Sequence, residues 1–75
     1  MFGVDRETLE MLRKEYPEGT KVELISLDDP YKHIPMGTVG TVNYVDDAGN
    51  LHTSWEGYGS LSLIYGVDAW KKIAE

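Results

Sequence analysis

From Thr20 onward, short β-patterned runs alternate with turn residues about every eight to twelve positions, and this rhythm restricts the chain to a small antiparallel β fold. "TKVELISL" (20–27) places Val22 and Leu24 on one face, then meets the turn formers Asp28, Asp29 and Pro30. A long loop, "DDPYKHIPMG" (28–37), leads to a second run, "TVGTVNYV" (38–45), closed by the hairpin loop "DDAGN". "LHTSW" (51–55) alternates Leu51, Thr53 and Trp55 against His52 and Ser54. After "EGYG" comes "SLSLIYG" (60–66), with Leu61 and Leu63 sharing a face. "VDAWKKIAE" reads as a helical turn, a short last strand, or one followed by the other.

Ahead of these runs, "VDRETLEMLRKEY" (4–16) has helical spacing. Asp5 is the expected N-cap, and Val4 and Leu9 have the spacing of a hydrophobic staple. Leu9, Leu12 and Tyr16 form a narrow apolar stripe, and Glu10 and Lys14 are placed to pair on the wet side. Pro17 and Gly19 stop the helix. A long loop, a strand, a tight hairpin, another strand and a short turn is the rhythm of an SH3-like barrel. The expected architecture is one mainly β domain over residues 1–75. It has an N-terminal amphipathic helix at 5–16 and a small SH3-like antiparallel barrel of about five strands over 20–75, with the helix capping an open end or covering an edge.

The pair Gly37 and Gly40 in "PMGTVGTV" invites a phosphate-loop reading, which the flanking residues reject. A phosphate loop opens a helix and supplies a lysine. Here Gly40 runs into "TVNYV", a strand, and no third glycine follows at Rossmann spacing. Glycine inside a strand marks a bulge, a bend or a close backbone approach. Gly37 is expected to end the long loop and Gly40 to let the second strand coil.

With 75 residues the chain has room for one domain and a limited core. It has no cysteine, so disulfides and thiolate metal sites are excluded. Thirteen acidic against seven basic residues give a net charge of −6, which disfavours direct binding to nucleic acid. No apolar run approaches the ~20 residues of a membrane span, and the N-terminus does not read as a signal peptide, so a cytoplasmic protein with no membrane partner is expected. The acidic pairs Asp28–Asp29 and Asp46–Asp47 read as turn formers, although paired carboxylates also bind cations. His33 and His52 have no metal-ligand spacing, and no serine sits in a nucleophile-elbow context. Neither a cofactor nor an enzymatic activity is expected.

Aromatic residues carry the remaining signal. Trp55 belongs to the core and Tyr16 seals the helix. Tyr31 in the long loop, Tyr58 in a glycine-flanked turn, Tyr65 at a strand end and Trp70 near the C-terminus are harder to bury. With Lys32, His33, Asp28 and Asp29 they make up the candidate binding residues, because exposed aromatics stack on prolines, bases or methylated side chains.

Ordered across residues 5–73 are Tyr16-Pro17 with Gly19-Thr20, Asp28-Asp29-Pro30, Gly37-Thr38 with Gly40-Thr41-Val42, Val45-Asp46-Asp47 with Gly49, Trp55, Ser60-Leu61 and Gly66-Val67-Asp68. In this ordered set the chain resembles a family of small bacterial and phage domains of unknown function, DUF4314. The resemblance implies an SH3-like barrel and a home in phages, prophages and conjugative elements, and it brings no catalytic residues. One departure is the turn after Trp55. Relatives place an acidic residue, Asn and Gly there, whereas this chain has Glu56-Gly57-Tyr58-Gly59.

The expected function is therefore a non-catalytic binding module of phage or mobile-element type that engages a host protein, for instance as an inhibitor of a host defence. The alternative is a sponge for a nucleotide or other small signalling molecule, working as a homo-oligomer. It would use aromatics for stacking and Lys32, His33 and the backbone of residues 57–60 for phosphate.

Overall fold

The computed structural model describes residues 4–28 and 33–73. They form one helix, α1 (Arg6–Glu15), and five strands: β1 (Lys21–Ser26), β2 (Val39–Val45), β3 (Asn50–Trp55), β4 (Gly59–Ile64) and β5 (Ala69–Lys72). All strand pairs are antiparallel, in the order β4-β3-β2-β1-β5. The helix and the first four strands lie where the sequence predicts them, and the count of five antiparallel strands agrees with the expectation. The sheet is open, since β4 and β5 stand at its two edges rather than pairing with each other.

The helix begins where a cap can satisfy its first free N–H groups: the Asp5 carboxylate accepts from Thr8 N–H at 2.8 Å. The Thr8 side chain and this N–H hold the Asp5 carboxyl below its ordinary value of 3.8. Leu12 is fully buried, with Val4, Leu9 and Tyr16 packed around the same core, so the apolar stripe faces the sheet. The wet side differs from expectation. Glu10 pairs with Arg6 at 3.5 Å instead of Lys14. Arg13 ties the helix to the β2–β3 turn, donating to Val45 O at 3.2 Å and to Asp47 at 2.8 Å.

Strand alternation sorts the core. Val22, Leu24, Val42, Leu51, Thr53, Trp55 and Leu63 are buried on one face. Trp55 is anchored by its indole N–H, which donates to Leu61 O at 3.1 Å. Gly40 is explained by this residue. A Cβ at Gly40 would lie 2.7 Å from Trp55 Cε3 and 2.7 Å from Thr53 Cγ2, so the indole packs directly on β2 backbone. The irregularity that bends β2 lies further on, between Val42 and Tyr44. Gly37, at φ +92°, closes the long loop by donating its N–H to Leu24 O at 2.8 Å. The C-terminal segment resolves as the short strand β5, with Trp70 opposite Leu24.

Candidate functional site

Where β4 ends and β5 begins, the chain turns through residues 65–68 beside the C-terminal end of α1. The Asp68 carboxylate holds this turn in place. One oxygen accepts from Ile64 N–H at 2.9 Å and the other from Asp28 N–H at 2.9 Å, which pins the start of the long loop to the end of β4. Tyr16, at the helix C-cap, meets the Trp70 ring edge-on, with centroids 6.0 Å apart and planes at 69°. With Tyr65, Gly66, Asp68 and Ala69, these two rings line a cleft of about 190 Å³. Tyr65 is exposed, whereas the Trp70 indole nitrogen is buried and has no hydrogen-bond partner among the described residues.

Of the predicted site residues, this cleft gathers Tyr65 and Trp70, and Asp28 reaches it through its backbone. Tyr58 is exposed in the β3–β4 turn, at the opposite end of β4 from Tyr65, a strand length of roughly 20 Å away. His33 is exposed in the β1–β2 loop. Asp29, Tyr31 and Lys32 lie outside the described residues. Tyr16 and Asp68 were not among the residues expected from sequence. Tyr16 ends the apolar stripe of α1, a position at the rim of the core, and Asp68 follows a glycine turn, where carboxylates cap backbone N–H groups.

The β2–β3 hairpin carries a second polar cluster. Asp46 Oδ1 accepts from Ala48 N–H at 3.0 Å and Asn50 N–H at 2.9 Å, and Oδ2 lies 2.8 Å from His52 Nε2. Burial alone would raise the Asp46 carboxyl, but the Asn50 N–H, the His52 ring, the Asn50 side chain and the Ala48 N–H outweigh it and hold it at about 2. His52 Nδ1 lies 3.3 Å from Ser62 Oγ, and Tyr44 stacks flat on the imidazole at 4.2 Å. Aspartate, histidine and serine here stand in relay order. The serine lies in the middle of β4, directly opposite His52, so the trio joins β3 to β4 and closes the hairpin loop. Among the described residues, no three His, Asp or Glu side chains group to hold a metal ion.

A third feature gathers cations. Lys14, Lys21 and Lys72 line a cleft of about 430 Å³ with Glu15, Glu18 and Thr20. Lys72 bonds to Glu15 at 3.2 Å and lies 5.5 Å from the centre of the Tyr16 ring, and Lys21 bonds to Thr41 Oγ1 at 2.6 Å. Tyr16 thus stands between the aromatic cleft and the lysines.

The family model for the domain of unknown function DUF4314 matches residues 5–73. The chain belongs to this family. No curated protein and no solved structure matches it. The matched span takes in α1 and all five strands of the DUF4314 domain, and with them both sides of the aromatic cleft.

Proposed function

We propose that this DUF4314 domain is a non-catalytic binding module whose contact surface is the cleft of Tyr16, Tyr65 and Trp70. The observation that carries this reading is the edge-on contact of Tyr16 and Trp70 in one cleft with the exposed Tyr65. Such a site offers aromatic area, which suits a partner segment that presents a ring or proline. The reading places the protein in the cytoplasm of a phage- or mobile-element-bearing cell and its partner among host proteins, and the −6 charge favours a basic one. Among the described residues no helix is long and apolar enough to cross a membrane. The Asp46–His52–Ser62 trio serves the hairpin rather than chemistry.

The lysine cleft next to Tyr16 favours one second reading, a sponge for a nucleotide-like anion, with the phosphates on Lys14, Lys21 and Lys72. One experiment separates the two. Protein purified gently from its host is analysed by native mass spectrometry and then used as bait, beside Tyr65→Ala, in host lysate. The module reading expects no bound small molecule and a host protein that wild type enriches and Tyr65→Ala does not. A bound nucleotide-sized mass moves the assignment to the sponge. Equal capture by both baits removes the aromatic cleft from the contact.

A further inference from the structure

Residues 58–67 carry no charged side chain, in a chain with 13 acidic and 7 basic residues. They contain all of β4, an edge strand, and its pairing with β3 runs without a register shift or a proline. Soluble proteins normally blunt such edges with charge, proline, bulges or shortness. The other edge, β5, is treated in that way: it has four residues, carries Lys71 and Lys72, and pairs with β1 across a bulge. Tyr58, Ile64, Tyr65 and Val67 are all exposed along and beside β4.

Hydrogen bonding shows which backbone groups this edge leaves free among the described residues. Asn50 N–H donates to Asp46 and Asn50 O accepts from Asp46 N–H, so its peptide groups face away from β4. Its register partner Ile64 donates to Asp68 instead of to β3. Alternation along an antiparallel ladder then turns the N–H and C=O groups of Ser60 and Ser62 outward.

We propose that this edge pairs antiparallel with β4 of a second copy of the chain. With Leu61 opposite Leu61, Ser60 of each copy faces Ser62 of the other, and all four outward groups per strand find partners across the seam. Each exposed Tyr58 then meets Ile64 of the other copy. The occupant follows from charge. The net −6 that repels copies elsewhere is missing along this strand, and a charged peptide would find no counter-charge there. The pairing stands whether or not the aromatic cleft binds a host protein.

The test is analytical ultracentrifugation of the full chain from about 1 µM to about 500 µM, at low and high salt, with amide exchange followed at Ser60 and Ser62. The expected result is a monomer–dimer equilibrium that tightens as salt screens the net charge, with both serine amides exchanging more slowly at higher concentration. Ser62→Pro removes one outward N–H at an edge position that tolerates proline, and should raise the dissociation constant at least about tenfold. Ser60→Lys, at an exposed position, should weaken the dimer as well, and it decides the question if the proline variant unfolds. Wild type that stays monomeric over the whole range overturns the proposal. A dimer that withstands both substitutions, with serine amide exchange independent of concentration, overturns it equally.

Discussion

Gly40→Ala tests the packing argument directly. The added methyl would sit 2.7 Å from Trp55 Cε3, 2.9 Å from Trp55 Cδ2 and 2.7 Å from Thr53 Cγ2, all in side chains that are almost fully buried. Neither neighbour is a flexible tip, so the indole must move. Overpacking of this kind costs about 1–3 kcal/mol, and loosening the Trp55–Leu61 hydrogen bond adds about 1 kcal/mol. The stiffer unfolded chain of alanine returns about 0.4–1 kcal/mol. The expected net loss is about 2 kcal/mol, or about 10 °C in melting temperature for a domain of this size. Thermal unfolding followed by circular dichroism and tryptophan fluorescence reads both the loss and the indole's displacement. In a Trp55→Leu background the same substitution should cost less, because the methyl enters space the indole has vacated. A Gly40→Ala protein that melts within about 2 °C of wild type would refute the close-approach explanation of this glycine.

Asp46 should make the fold acid-sensitive over a defined window. Its carboxyl is lowered in the folded state from 3.8 to about 2, so its stabilisation is fully present above pH 3.8 and is lost as pH falls through about 2. The difference is worth about 2 kcal/mol at full weight, and because 30% of the side chain is in water the expected loss is about 1 kcal/mol. Urea midpoints measured between pH 5 and pH 2 should fall for wild type and much less for Asp46→Asn, and parallel curves would rule the carboxylate out. Leu12→Ala should cost about 3 kcal/mol, because Leu12 is the fully buried anchor of α1, and a urea midpoint shifted by less than a third of that would mean the helix is not integral to the core.

Local spacing made α1 and the strands legible. Asp5 caps where a cap belongs, and Leu9, Leu12 and Tyr16 fall on one face because a helix turns every 3.6 residues. Leu51, Thr53 and Trp55 face inward because a strand alternates every second residue. Both signals lie within a few neighbouring positions, so the sequence by itself determined the helix, the first four strands along the chain and most of the core. The candidate site was only partly legible. Trp70 and Tyr65 stood out as aromatics that were hard to bury, but their meeting with Tyr16 joins the two ends of the chain, 54 positions apart for the Tyr16–Trp70 contact. Tyr58 and Tyr65 look near in sequence, yet an extended strand carries them apart. His52 faces Ser62 and reaches Asp46 only because β3 and β4 adopt one register, and a shift of one residue would turn every side chain over. Register, the open edge at β4 and the gathering of Lys14, Lys21 and Lys72 were decided by the tertiary structure, because each depends on long-range pairing, which no local pattern encodes.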